Sequence, residues 1–189
     1  MTFVPPWIPP HPLLLFVGQS PAKEEARLGR PFIGTDGQQL RKWVTQLGLD
    51  PDTDCAYTNV VQEYRGTFNY TPTSMEIKEA GKRIRGEVAS GLFSPRAVVL
   101  LGAYAARTNF KGRMGRMHGQ MKPGALLFPP VFACWHPGAY RNAISPEATR
   151  SKEADILEVI GKAIKIARGE GVPTVELPEY EEKEGVKLT

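Results

Sequence analysis

Cysteine is scarce in this chain, with only Cys55 and Cys134 among 189 residues. Two thiols cannot build a disulfide framework, and each lies in an apolar run where a reduced, buried thiol is the ordinary state. Also missing is any stretch of about 18 uninterrupted apolar residues, the length a membrane helix needs. Met1–Pro12 lacks the basic start and apolar core of a secretory signal. These absences lead us to expect a soluble, cytoplasmic or otherwise intracellular protein with no membrane partner. No GxxxxGK[ST] follows a strand and no GxGxxG opens a helix, which excludes ordinary P-loop NTPases and dinucleotide-dependent dehydrogenases. Gly112–Arg113–Met114–Gly115 has the GXXG spacing of a KH clamp. Without that clamp's helix-loop-helix setting it reads as a flexible basic loop. Internal repeats are absent too.

What is present suits one packed domain. Glycine (19) and proline (17) together make about a fifth of the chain, below the roughly 25–30% of low-complexity sequences. Charge is divided unevenly. Residues 169–189 hold six glutamates against two lysines, which turns a net of +4 for the whole chain into +8 for residues 1–168. We expect a single domain over 1–168, opened by a Pro-rich arm over 1–12 and followed by a loose acidic tail over 169–189. A basic body favours a polyanionic partner such as nucleic acid, although solubility alone also accounts for it.

Four apolar runs of strand length are spaced along the body: Leu13–Gly18, Cys55–Val61, Ala97–Gly102 and Val131–Trp135. Helical periodicity lies between and after them. Leu40, Trp43, Val44 and Leu47 mark one stripe; Ile77, Ile84 and Val88 mark a second, which opens on the capping-box spacing Thr73–Glu76. Ile156, Val159, Ile160, Ala163 and Ile164 line a third, over Pro146–Arg168. Strand and helix alternate, so the expected fold class is α/β: a three-layer α/β/α sandwich around a central, mainly parallel four-stranded sheet. Ligand groups in such a fold gather at the carboxyl ends of the strands. Those ends carry Gly18-Gln19-Ser20-Pro21, Thr58-Asn59, Gly102-Ala103 and His136-Pro137.

The richest stretch is Gly18–Gly34, GQSPAKEEARLGRPFIG, where a tight turn, two carboxylates and a Gly-Arg-Pro-Phe turn follow a buried strand. It resembles the first motif of the uracil-DNA glycosylase superfamily, most closely the family 4 enzymes, with no insertion between Gly18 and Phe32. Tyr57-Thr58-Asn59, Pro72–Ile77, Ser94-Pro95, VVLLGAYAA over Val98–Ala106, Arg116–Gln120 and Trp135–Tyr140 resemble later segments of that family, in the family's order. The likeness covers about residues 13–165.

The resemblance implies hydrolysis of the N-glycosidic bond of uracil or a related modified pyrimidine flipped out of DNA, in base excision repair or other base processing. Phe32 then stacks on the base, and the Asn59 amide pairs with the N3–H and O4 edge of uracil. His136 donates to O2 as negative charge develops there, helped by main-chain N–H groups around Gln19 and Ser20. Pro137, Tyr140 and Arg141 belong to a DNA-inserting loop, with Arg116 and His118 in a basic turn nearby. Lys82, Arg83, Arg113 and Arg150 are further candidates for phosphate contacts. The expected partner is DNA containing uracil or a modified pyrimidine, met by a monomer, in a nucleoid-associated setting if the source is bacterial or viral.

The family pattern is departed from in two places. A glutamate normally follows the motif glycine; here it is Gln19, an amide that can orient water but cannot take its proton. Glu25 is then the best remaining base, with Glu24 second. Family 4 enzymes also hold a four-iron cluster with four cysteines, two near the amino terminus and two flanking the long helix. Here no cysteine precedes Leu13, Gln62 and Glu63 stand near one such position, and Ala80 occupies the helix position. We therefore expect no iron–sulfur cluster and no other cofactor. Cys134 and His136, two apart, could share a strand face as a thiol–imidazole pair or part of a zinc site, with only Cys55 as another soft ligand. The alternative reading from another class is a non-catalytic DNA-binding or damage-recognition protein; a third is an enzyme acting on free nucleotides.

Overall fold

The computed structural model describes residues 1–67, 70–124, 128–141 and 143–170. The expected acidic tail falls almost wholly on 171–189, outside those residues. The arm opens with β1 (Thr2–Phe3), and the first long strand is β2 (Leu14–Gly18). Helices α1 (Lys23–Leu28) and α2 (Thr35–Gln46) follow, then β3 (Cys55–Asn59), β4 (Glu63–Tyr64) and α3 (Ser74–Ala89). The rest of the chain forms β5 (Ala97–Leu101), α4 (Gly102–Ala106), α5 (Met114–Met117), β6 (Met121–Lys122), β7 (Val131–Cys134) and α6 (Pro146–Ala167).

The central sheet has the order β3-β2-β5-β7-β6. Its first four strands are the four apolar runs, and their three pairings are parallel. The fifth, β6, is an antiparallel edge of two exposed residues. It has too few residues and too little apolar character to leave a periodic signal, so the expectation of four strands is one short. The four long strands are buried along their whole length, as parallel strands covered on both faces must be.

Alternation along the strands sorts the core into two faces. Leu14, Phe16, Cys55, Tyr57, Val99, Leu101, Phe132 and Cys134 pack against α2 and α6. Leu15, Val17, Ala56, Val98, Leu100, Val131 and Ala133 pack against α3, α4 and Met117. This is the expected three-layer sandwich. Cys134 turns into the first face, its Sγ 4.0 Å from the carbonyl of Ile156, while His136 lies beyond the strand end. The pair therefore does not share a face, because strand alternation stops at Cys134.

Helix ends follow their sequence signals. Thr73 caps α3 through its hydroxyl, and Glu76 reaches back to the Thr73 N–H at 2.8 Å. Ser145 caps α6 ahead of Pro146. Met114 and Gly115 of the GXXG stretch enter the single turn of α5. The Pro-rich arm lies along the edge of the sheet: β1 pairs antiparallel with β4, and Trp7 exchanges two 2.9 Å main-chain hydrogen bonds with Tyr57 of β3. Arg30 stacks on the Trp7 ring at 4.0 Å.

Ile160 is fully buried between α6 and the sheet. Ile160→Ala should lower unfolding stability by about 2–5 kcal/mol in urea denaturation, the cost of a cavity in a core that cannot collapse around it.

Candidate active site

A cavity of about 800 Å³ opens at the carboxyl ends of β2, β3 and β7, large enough for a nucleotide-sized ligand. Parallel pairing of β2 on β3 sets Gly18 opposite Asn59. At that point the walls meet: a Cβ on Gly18 would collide with Asn59 Oδ1 and lie 2.7 Å from Phe32 Cζ. Glycine is required there, since a methyl group would close the slot between the ring and the amide.

Phe32 is the one non-glycine residue with positive φ among the described residues, at 57°. This left-handed conformation is costly for a bulky side chain and persists only where the surroundings enforce it. Arg41 Nε donates to the Phe32 carbonyl at 3.1 Å, and Gln38 Nε2 donates to the Ile33 carbonyl at 3.0 Å. Gly37 passes directly against the Phe32 main chain. Arg41 is itself held by Asp52, at 2.6 Å, and lies 5.0 Å from the centroid of Tyr57. The hydrogen bond from Arg41 keeps the Asp52 carboxyl below its usual range. Tyr57 in turn packs on Phe32, ring centroids 5.3 Å apart. Phe32 is thus both a core residue, 8% exposed, and a wall of the slot.

His136 stands at the end of β7, where the 3₁₀ turn Pro137–Ala139 begins. The Gly138 N–H donates to its Nδ1 at 3.1 Å, which fixes a lone pair on that atom. In the neutral ring the proton is then on Nε2. Burial pushes the imidazole below its ordinary pKa; Asp36 pulls it up, and the Arg141 cation pushes it down again. Asp36 Oδ2 lies 3.7 Å from Nδ1 but is ion-paired with Arg141. With Nδ1 taken by Gly138, the charged partner of Asp36 is Arg141 and not the imidazole.

Gln19, Ser20, Glu25, Phe32, Asn59, His136 and Arg141 all line this cavity. Gln19 Nε2 donates to the Tyr70 carbonyl at 2.6 Å. Glu25 is buried, and its two oxygens accept from the Ala22 N–H at 3.0 Å and the Gly34 N–H at 2.9 Å. It braces the two ends of the Ala22–Gly34 loop, a use of its lone pairs that competes with service as a base. Glu24 is exposed and paired with Arg27. Sequence reasoning missed Asp36, whose position one turn beyond Phe32, at the start of α2, was the available signal.

Other expected residues lie outside the cavity. Tyr140 packs edge-on against Trp43 at 5.3 Å, its hydroxyl 3.4 Å from Gln39. Pro137 is buried. His118 Nδ1 accepts from the Trp135 N–H at 3.2 Å, which ties α5 to the end of β7, and burial lowers its pKa. Arg116, Arg113, Arg150 and Lys82 are exposed, the last paired with Glu79. Arg83 is committed inward, bonding both oxygens of Glu87 and donating to the Asn59 carbonyl at 2.7 Å.

The two thiols do not fit an iron–sulfur cluster. Cys55 on β3 and Cys134 on β7 stand on strands three places apart in the sheet and four residues apart in register, too far to share a metal. Both are buried, which pushes Cys55 up to about 12 and Cys134 higher still. Among the described residues no group of three or more His, Cys, Asp or Glu side chains could hold a metal ion, and no helix is long and apolar enough to cross a membrane.

The class defined by fold and site is a parallel α/β sandwich with a slot at its strand ends walled by an aromatic ring, an amide and an imidazole. Residues 5–159 match the model of the uracil DNA glycosylase superfamily, and the chain belongs to that family. It is 30% identical over 134 residues to the type-4 uracil-DNA glycosylase of Pyrobaculum aerophilum, covering 67% of this chain and 66% of that protein. To the type-4 uracil-DNA glycosylase of Archaeoglobus fulgidus it is 27% identical over 158 residues, 77% of this chain and 74% of the relative. A DNA polymerase of Bacillus phage SP01 matches at 24% over 132 residues, only 14% of its own length. The chain thus spans about two thirds to three quarters of the two glycosylases.

The His136 assignment is testable by nitrogen NMR. At neutral pH, Nε2 should be protonated and Nδ1 not, with titration below the ordinary histidine range. Arg141→Gln removes a neighbouring positive charge and should move that titration upward.

Proposed function

We propose that the protein is a DNA glycosylase that excises uracil, or a pyrimidine close to it, from a nucleotide rotated out of DNA. The observation that carries this reading is the meeting of Phe32, Asn59 and the His136 loop on one slot built around Gly18. The basic balance of residues 1–168 and the family membership support DNA as the partner.

In this reading the base stacks on Phe32, and the Asn59 amide offers an acceptor to N3–H and a donor to O4. Cytosine presents the opposite pattern at these two positions and is disfavoured. As the C1′–N1 bond breaks, its electron pair stays with the base, and negative charge grows on O2. His136 Nε2–H donates to that oxygen as a neutral group, so no ionised imidazole is needed. Water adds to C1′ of the oxocarbenium-like sugar and its proton leaves to solvent or to the departing base. Gln19 orients that water through its amide oxygen, the amide nitrogen being engaged with Tyr70. Catalysis led by stabilisation of the leaving group suits a slot in which Glu25 is already used as a brace.

The wedge that fills the gap left by the base is assigned to Ile144, the fully exposed apolar side chain beyond the 3₁₀ turn. Tyr140 is held against Trp43, and Arg141 against Asp36. Arg116, Arg113 and Arg150, exposed outside the cavity, are assigned to phosphate contacts.

The test is base release from a panel of oligonucleotides, each with one modified pyrimidine. Wild type should release uracil. His136→Ala should slow release by about 10²–10³-fold. Ile144→Ala should slow release from duplex more than from single strands. A wild type that binds DNA yet releases no base from any member of the panel overturns the enzyme reading in favour of a damage-recognition protein, for which Gln19 is the motivating residue.

A further inference from the structure

The main chain of Gln19 is fixed by its neighbours, since its carbonyl accepts from the Val61 N–H at 3.0 Å. Its side chain is fixed differently, by a partner 51 positions away. Nε2 donates to the carbonyl of Tyr70, in the loop between β4 and α3. A primary amide can present either its oxygen or its N–H groups to the slot, and the two faces do opposite things to a water molecule. One Nε2–H is held by Tyr70, which fixes the plane of the amide, and its oxygen is the acceptor it can offer to water.

What holds Tyr70 is a compact polar cluster. Its hydroxyl donates to Glu76, 3.1 Å from either carboxylate oxygen. Arg65 reaches the same carboxylate at 3.4 Å and Glu63 at 3.3 Å, and its guanidinium lies 5.5 Å from the Tyr70 ring centroid. Glu76 is anchored in turn by the Thr73 main-chain N–H and hydroxyl at the start of α3. These contacts, the Thr73 main-chain bond first, hold its carboxyl below the usual range, so it stays charged. Glu63 stands near a position where the resemblance to family 4 puts a cluster cysteine.

We propose that Tyr70, Glu76 and Arg65 are positioning residues that set the orientation of the Gln19 amide, and so the acceptor offered to the attacking water. This rests on the glycosylase reading above. The cluster touches neither base nor sugar; it acts by placing one main-chain carbonyl.

Two conservative variants separate positioning from folding. Glu76→Gln keeps the cap of α3 but removes the charge that Arg65 and Tyr70 share. Tyr70→Phe keeps the ring and loses only the hydroxyl. Each should lower the single-turnover rate on a uracil oligonucleotide by about fivefold to tenfold with DNA affinity unchanged, the scale of one ordinary hydrogen bond. In a Gln19→Ala background the same changes should cost about twofold or less, because the group they position is gone. Equal losses in both backgrounds, or no loss in either, overturn the proposal. A second readout stands apart from activity. The Gln19 side-chain amide should show one hydrogen-bonded, slowly exchanging proton by NMR in wild type, and both protons should exchange rapidly in Glu76→Gln. An unchanged resonance overturns the proposal. If wild type releases no base, the glycosylase reading fails by itself and the amide resonance still decides the positioning.

Discussion

The structure of the site depends on one close approach. Because β2 lies parallel to β3 with Gly18 opposite Asn59, the Asn59 amide and the Phe32 ring come together over a residue with no side chain. The slot is therefore as wide as the missing Cβ allows. Its far wall is a phenylalanine in a conformation that only its surroundings make tolerable, and those surroundings are specific: Arg41 on its carbonyl, Gly37 against its main chain, and Tyr57 beside its ring. Backbone strain persists where the surroundings over-determine a residue, and Phe32 is such a case.

Polar groups around the slot are spent in a consistent way. Several residues that line the cavity have a partner behind them. Gly138 fixes the tautomer of His136, Tyr70 fixes the amide plane of Gln19, and Arg83 holds the carbonyl of Asn59. Burial first, and then the Arg141 charge that pairs with Asp36, hold the His136 imidazole below its ordinary pKa. Such preorganisation matters most where charge develops on a leaving group, because donors already in place need not reorganise during the reaction. Gln19 and His136 follow strands β2 and β7, Asn59 ends β3, and the sheet beneath them supplies the rigidity.

Much of this was legible in the sequence, and for physical reasons. Four strands announce themselves as continuous apolar runs because both their faces are covered, and three helices announce themselves by stripe and cap. Gln19, Ser20, Asn59 and His136 were legible as lining residues because they stand at strand ends, and Phe32 because its segment resembles the first motif of the family. Three features were not. β6 has two exposed residues and no pattern. Asp36 sits in an unremarkable helical first turn, and only the fold brings it to His136. Glu25 and Tyr140 have the right residue types in the right segments, but their hydrogen bonds and packing commit them locally, and sequence spacing carries no information about such partners.

The Trp7–Tyr57 bridge has a consequence for how the molecule meets others of its kind. An open edge on a long, flat, apolar strand such as β3 is a template on which a foreign strand can grow. Here the amino-terminal arm lies across that ladder, and its prolines deny a further donor row to anything approaching from outside. At the opposite margin, the brevity of β6 leaves little backbone to copy. The same few residues that look like an ornament on the sandwich thus occupy main-chain groups of β3 that an incoming strand would need.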